Sequence, residues 1–332
     1  MGSFGCPAGG SAMSGVARFA VVRGTPAGRG RKWNARYVEP FGVPRVSVRR
    51  GTSGERGDGQ VLTDRSGRVR EARRLLRRAA RDRVGLFLAE GPQAVREALL
   101  EATGARPGLV VEVFASASAG SRHAGLLDEA RRAGIPVHLG EDAAVASLSD
   151  TVTPQGLVAV CRSLTVTLGD ALGTRPALVA VLVEVRDPGN AGTVIRTADA
   201  AGAGAVVLAG DAVDPHSGKC VRASAGSLFH LPVVTDVTAG EAVTALKTQG
   251  LNVLVADGSG PTDLDSAADL GVLDAPAAWL FGNEARGIPE AVRRTADHVV
   301  RIPIHGRAES LNLATAAALC LYASARAHRR LS

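Results

Sequence analysis

No stretch of about 18 uninterrupted apolar residues occurs in this chain, so a membrane span is not expected. The N-terminus lacks the continuous apolar core of a secretory signal. Cysteine is sparse, and Cys6, Cys161, Cys220 and Cys320 include no pair at metal-ligand spacing. These absences point to a reduced, cytoplasmic protein without a metal centre. A Gly-x-Ser-x-Gly elbow, a Walker loop and a His-Glu-x-x-His pair are also missing, so hydrolase, NTPase and zinc-peptidase readings lack support. Gly202-Ala-Gly204 is no dinucleotide fingerprint, because it precedes a strand and lacks the third glycine. A helix-to-strand turn is its expected use. Aromatic residues, at 3%, are few.

What is present fits a globular α/β protein: 45% hydrophobic residues, 40 glycines, and 332 residues in all, room for two domains and a tail. Charge is divided unevenly. Residues 1–85 hold 19 Lys or Arg against 6 acids, whereas residues 86–332 hold 20 against 26. The basicity therefore belongs to the N-terminal quarter and favours a polyanion partner, most simply nucleic acid. A solvated basic tail is the alternative.

Residues 1–60, rich in Gly, Ser, Pro and Arg with no sustained period, read as a disordered basic tail. From 66 to 83 the pattern predicts one basic amphipathic helix, with Val69, Ala72, Leu76 and Ala80 on its apolar side and, counted from Arg65 to Arg83, nine arginines around them. Alternating strand and helix signals then give a small α/β domain over 65–165. Its strands are expected at 84–89, 109–114, 136–139 and 157–161, and its helices at 93–102 and 124–133. Residues 164–175 read as a linker, and a second domain spans 177–330. Its strands are expected at 178–185, 205–209, 231–235, 252–256, 278–281 and 299–304. Several are continuous apolar runs, as parallel strands buried on both faces require. A long Ala-rich helix at about 310–329 has apolar residues over more than one face, which a second subunit could cover.

Three segments in the last 150 residues set chemically able side chains beside apolar strands or at helix starts: Asn190-Ala-Gly-Thr-Val-Ile-Arg196, Phe281-Gly-Asn-Glu-Ala-Arg-Gly-Ile-Pro289 and Ile302-Pro-Ile-His-Gly-Arg-Ala-Glu-Ser-Leu-Asn-Leu313. Strand ends are where open α/β sheets bind ligands, so the three predict one composite pocket. Together they resemble the three motifs of the SpoU/TrmH family of S-adenosylmethionine-dependent RNA ribose 2′-O-methyltransferases. Val221-Arg-Ala-Ser-Ala-Gly226 is similar to the family's segment between motifs one and two, and Phe87-Leu-Ala-Glu-Gly-Pro92 to the opening of its substrate-binding domain. The resemblance covers roughly 65–330. Chain-topology rules make knots nearly absent and would give an ordinary doubly wound sheet. The resemblance implies instead a trefoil-knotted parallel-sheet methyltransferase domain, preceded by a small α/β substrate-binding domain, with the last helix in a homodimer interface.

The resemblance also implies roles. Gly282, Ile302 and Leu311 are the expected cofactor contacts, with Gly258 at the border; a glycine admits close backbone approach and the aliphatic pair supplies apolar walls. Plain core packing is the other use for Ile302 and Leu311. Arg196, expected one turn into the helix after the first strand of the second domain, is the expected catalytic arginine. Arginine is not deprotonated in proteins, so its role is to clamp phosphate and stabilise a developing alkoxide, the proton passing to phosphate or water. A surface ion pair is the alternative. Asn190 and Asn312 are expected to fix ribose and loop backbone, and Glu284 to orient Arg196 or Asn190. Ser310 is either a site residue or the N-cap of the last helix. Arg73, Arg74, Arg77 and Arg78 are the expected RNA grip. The leading reading is a methyltransferase for large-subunit ribosomal RNA. Transfer RNA is the alternative substrate, and a non-catalytic RNA-binding protein of the same fold the alternative class.

Overall fold

The structure is a computed structural model that describes residues 61–330, so the tail expected over 1–60 lies outside the described residues. The first layer of structure contains α1 (Gly67–Arg74), α2 (Arg78–Val84), β1 (Leu86–Glu90), α3 (Pro92–Thr103), β2 (Val110–Ser116), α4 (Ala117–Arg122), α5 (Ala124–Arg132), β3 (Val137–Gly140), α6 (Asp142–Ala146) and β4 (Leu157–Arg162). Its four strands form a sheet in the order β1-β4-β2-β3. Alternation sorts β1: Phe87 and Ala89 face the main core, while Leu88 faces a smaller cluster with Val69, Ala72, Leu75 and Phe114.

The single basic helix expected over 66–83 is two helices. Arg77 is extended, with φ −98° and ψ 130°. The buried Arg81 explains the break: its Nη1 donates to the carbonyls of Leu75 (2.8 Å) and Leu76 (3.0 Å), which a continuous helix would have used internally. Arg81 takes the inward position expected of Ala80, because Asp214 waits for it.

The second sheet follows with β5 (Thr165–Val166), α7 (Leu168–Gly173), β6 (Leu178–Val183), α8 (Pro188–Ala201), β7 (Ala205–Ala209), α9 (Gly218–Ser224), β8 (Val233–Val237), α10 (Ala239–Thr248), β9 (Asn252–Ala256), β10 (Thr262–Asp263), α11 (Leu264–Asp269), β11 (Ala277–Phe281), α12 (Glu290–Arg293), β12 (His298–Arg301) and α13 (Leu313–Arg330). Eight parallel strands run in the order β10-β12-β9-β11-β6-β7-β8-β5. Residues 164–175 are thus no linker: β5 pairs with β8 as the edge strand and α7 covers the sheet. Every residue of β6 is buried, as its central place demands. Gly202, at φ 81°, ends α8 in the left-handed conformation and is the helix-to-strand turn expected of it. One continuous core joins α8 and α13 to the inner face of the small sheet. A second, with α7 and α10, covers the opposite face of the large one. Among the described residues, no helix is long and apolar enough to cross a membrane.

Candidate active site

The order of strands in the large sheet reverses beside β6. The chain passes from β6 to β7 and β8 on one side, then returns to β9, β11 and β12 on the other. Loops that diverge at such a point leave a crevice at the carboxyl ends of the strands. All three sequence motifs end there, on the loops after β6, β11 and β12.

Asp187 starts α8. Its Oδ1 accepts the backbone N–H of Asn190 at 2.8 Å, Pro188 fills the first helical turn, and Lys219 of α9 donates to Oδ2 at 2.6 Å. The Lys219 and Asn190 hydrogen bonds hold the Asp187 carboxyl below its usual range. Asn190, fixed in this first turn, spends both ends of its amide. Its Nδ2 donates to Glu284 Oε1 at 2.6 Å, and its Oδ1 accepts from Asn312 Nδ2 at 3.1 Å. Residues from three distant segments therefore meet in one hydrogen-bonded row, Glu284–Asn190–Asn312. Glu284 orients Asn190, not Arg196.

Asn312 also caps α13, its Oδ1 accepting the N–H of Ala314 (2.9 Å) and Thr315 (3.3 Å). The last helix accordingly begins at Leu313, three residues later than expected, and Ser310 is not its cap. Ser310 is exposed and joins no hydrogen bond among the described residues. Arg196 is the ninth residue of α8, more than two turns in, because the helix starts ahead of Asn190. It is exposed and makes no ion pair among the described residues, which removes the surface-pair alternative.

The glycines also have uses within the fold itself. A Cβ on Gly282 would lie 2.4 Å from the Gly287 carbonyl carbon and 2.6 Å from Ile288 N, so its bareness serves the fold of its own loop. A Cβ on Gly192 would meet Cys220 O at 2.4 Å and Ala223 Cβ at 2.7 Å, so that glycine lets α8 pack on α9. Gly258 lies exposed in the loop after β9 with open space around it; the crowded glycine there is Gly260, whose Cβ would meet Val299 O and Arg301 N at 2.8 Å. Since β12, β9 and β11 are neighbours, Ile302, Gly258 and Gly282 sit at one sheet edge. Ile302 and Leu311 are half-buried, and Ile302 packs on the core as well. Between them, residues 302–311 make no backbone hydrogen bond to the described chain. An edge with free backbone donors and acceptors between aliphatic walls fits a flat nucleoside with polar rims. Among the described residues no group of His, Cys, Asp and Glu is arranged to hold a metal.

Sequence reading missed Asp187, although an Asp followed by Pro before an apolar helix is a readable start signal. It also missed the seam between the two sheets. Arg81 donates to Asp214 Oδ2 through Nε at 2.7 Å and lies 2.6 Å from it through Nη2, with both side chains buried. Burial pushes His216 down to about 4, so it is neutral and its Nε2 accepts the Leu164 N–H at 3.2 Å. Its 3.7 Å approach to Asp214 is therefore no ion pair. Arg222 bridges Glu90 (2.8 Å) and Asp150 (2.5 Å), and His230 bridges Asp199 (2.8 Å) and Glu97 (3.3 Å). A cavity of about 370 Å³ opens along this seam, near Arg81, Asp214 and Asp236, away from the three motifs. Of the expected RNA grip, Arg73 is tied to Ser147 (2.6 Å) and Arg78 lies 3.7 Å from Asp82, while the side chains of Arg74 and Arg77 are exposed and unpaired among the described residues.

Comparison with known proteins identifies the relatives of both domains. Residues 177–322 match the SpoU rRNA methylase family and residues 67–159 the MRM3-like substrate-binding domain. The 23S rRNA (guanosine(2553)-2′-O)-methyltransferase of Bacillus subtilis (strain 168) is 33% identical over 270 residues, 79% of this chain and 98% of its own. A 23S rRNA (uridine(2479)-2′-O)-methyltransferase of Streptomyces viridochromogenes is 38% identical over 165 residues, 47% of this chain and 55% of its own. The crystal structure of an AdoMet-bound rRNA methyltransferase from Sinorhizobium meliloti superposes with a TM-score of 0.69 at 29% identity, covering 81% of this chain and 98% of that one. The chain belongs to the SpoU rRNA methylase family.

Proposed function

We propose that this protein transfers a methyl group from S-adenosylmethionine to a ribose 2′-hydroxyl of large-subunit ribosomal RNA. The observation that carries the reading is the row Glu284–Asn190–Asn312, which ties three motifs together at the sheet's reversal point. The substrate class follows from relatives whose names specify 23S rRNA.

S-adenosylmethionine, when bound, supplies an electrophilic sulfonium methyl. Ile302 and Leu311 would flank its adenine, and the unbonded backbone of 302–311, with the loops after β9 and β11, would meet its polar edges. Asn190 and Asn312, each held at two points, present a fixed amide row beside which a ribose can be oriented for in-line attack. Arg196 has an unspent guanidinium, the requirement for a group that clamps a phosphate and stabilises the alkoxide as the hydroxyl loses its proton. The proton passes to phosphate or water, because arginine is not deprotonated in proteins. Ser310, exposed beside Leu311, is placed to touch the RNA or the cofactor rather than to cap a helix.

RNA is gripped by Arg74 and Arg77 at the break between α1 and α2, with Arg73 and Arg78 adding field from their paired positions. The domain boundaries that accompany this reading are 65–165 for RNA and 177–330 for methyl transfer. The methyltransferase domain is trefoil-knotted and pairs with a second copy through α13, where Leu319 and Tyr322 remain 43% and 47% exposed in a groove whose apolar floor they share with Leu264 and Ala323 and whose rim carries Asp265, Arg326, Arg329 and Arg330. The protein works in the cytoplasm, where ribosomal RNA is processed. Incubation with labelled S-adenosylmethionine and separate ribosomal and transfer RNA pools, followed by mass mapping, tests the assignment. Label in a single 23S ribose is expected, and label confined to transfer RNA would overturn the substrate.

A further inference from the structure

Asn283 stands between the site and a part of the sheet that no motif covers. Its Oδ1 accepts the N–H of Ala285 (3.0 Å) and of Arg286 (3.2 Å), and its Nδ2 donates to the carbonyl of Glu184 (3.0 Å). Its backbone exchanges two hydrogen bonds with Gly287, at 3.1 and 2.7 Å. The loop after β11 is thereby closed on itself and pinned to the residue that follows β6. Glu184 offers a second pin, since its Oε2 lies 3.2 Å from Arg286 Nη2. That pair is exposed and contributes little, so the amide-to-carbonyl bond is the main tie.

Glu184 itself is unusual. It sits at φ 53°, a left-handed conformation uncommon for any residue but glycine. Its N–H donates to Ala209 O at 2.9 Å, and its side chain covers Gly210, where a Cβ would come within 3.1 Å of Glu184 Cγ. Such a conformation persists only where its surroundings over-determine it. Here it turns the Glu184 carbonyl toward Asn283. What the pinned loop carries is Glu284, whose Oε1 receives Asn190 Nδ2 at 2.6 Å.

We propose that Asn283 and Glu184 are positioning residues, a clamp that sets the Glu284 carboxylate against Asn190 and through it orders the row that ends at Asn312. The proposal rests on the methyl-transfer reading above. Asn283 acts through Glu284, so its contribution vanishes once Glu284 is gone. A residue that merely stabilised the domain would add its loss to that of Glu284 instead.

Asn283→Asp separates the two duties of the side chain. It keeps an oxygen for Ala285 and Arg286 and loses the donor to Glu184. The expected result is a folded protein whose kcat falls about 10- to 100-fold, the scale of a misplaced site group, with KM for RNA within about threefold. Added to Glu284→Ala, the same change should cost no further rate. Glu184→Gln, which deletes only the charge facing Arg286, should show the same pattern at smaller size. The side-chain amide resonance of Asn190 gives a readout independent of turnover. In Asn283→Asp it should move toward its position in Glu284→Ala. Rate losses that multiply in the double variant, or an Asn190 amide resonance unmoved by Asn283→Asp, would overturn the clamp. If wild type transfers no methyl while the resonance moves as expected, the methyl-transfer reading fails and the clamp stands.

Discussion

Replacing Arg81 by Ala should destabilise the protein more than any other single surface-to-core change at the seam between the two sheets. Arg81 is 7% exposed and Asp214 9%, and the guanidinium meets the carboxylate through two nitrogens, at 2.7 and 2.6 Å. The same guanidinium satisfies the carbonyls of Leu75 and Leu76 at the end of α1. In Arg81→Ala, Asp214 keeps only the His216 N–H, at 2.8 Å, and both carbonyls lose their donor. Removing one partner of a buried pair costs about 3–5 kcal/mol, mostly as the penalty of the charge left behind. At roughly 2 °C per kcal/mol for a chain of this size, Tm should fall by about 6–10 °C. Urea unfolding read by tryptophan fluorescence and far-UV circular dichroism supplies the measurement. The pair Arg81→Met with Asp214→Leu should regain more than half of the loss, because it removes the orphaned charge. A loss below about 1 kcal/mol in Arg81→Ala would refute the argument that this contact sets the break between α1 and α2.

Three further outcomes are expected. Gly282→Ala places a Cβ 2.4 Å from the backbone of Gly287, so the loop must move; cofactor affinity by calorimetry should fall at least about tenfold, and an unchanged Kd would contradict the placement. Arg74→Glu with Arg77→Glu should weaken RNA binding and flatten its salt slope by about 1.5, at roughly 0.7–0.9 per phosphate contact, while an unchanged slope would move the grip elsewhere. Burial opposes the charge on His230, but Asp199 and Glu97 together outweigh it and raise its pKa. A raised folded value means that the stability this clasp contributes is fully present below about pH 6.5, the ordinary histidine value, and is lost as pH rises through the raised folded value above it. Wild type should therefore lose more stability than His230→Gln as pH rises from 6 to 9, and parallel curves would contradict the clasp.

The buried strands were legible because continuous apolar runs leave few other uses. The reading at 252–256 coincides with β9 (Asn252–Ala256), and that at 205–209 with β7 (Ala205–Ala209). Elements decided by distant partners were not. Nothing local in Leu75-Leu76-Arg77-Arg78 breaks a helix; the break is imposed by Arg81, which answers to Asp214, 133 residues away. The strand Thr165–Val166 is too short for any period to show, so 164–175 read as a linker. In the site, the meeting of Asn190, Glu284 and Asn312 was reachable through motif resemblance, because separations of 94 and 122 residues leave no local trace. The Asp187 cap is readable locally, from an Asp followed by Pro before an apolar helix. Gly282 was noticed for closeness of approach, but closeness to a cofactor and closeness to Gly287 look the same in a sequence. Asn283 reads as a turn residue, which it is; that its amide also reaches Glu184 is a fact of the sheet's order alone.

The proposed reaction is methyl transfer to a ribosomal ribose with Arg196 at the reacting oxygen. Mass mapping of ribose methylation in 23S and transfer RNA from cells carrying the gene, lacking it, or carrying Arg196→Ala tests it most directly, joined to single-turnover rates on the mapped fragment. One 2′-O-methyl group should be present in 23S RNA with the gene and absent without it, and the variant should transfer on the order of 100- to 1000-fold more slowly with cofactor binding nearly intact. Identical maps with and without the gene, or a variant keeping more than about a tenth of the wild-type rate, would contradict the account.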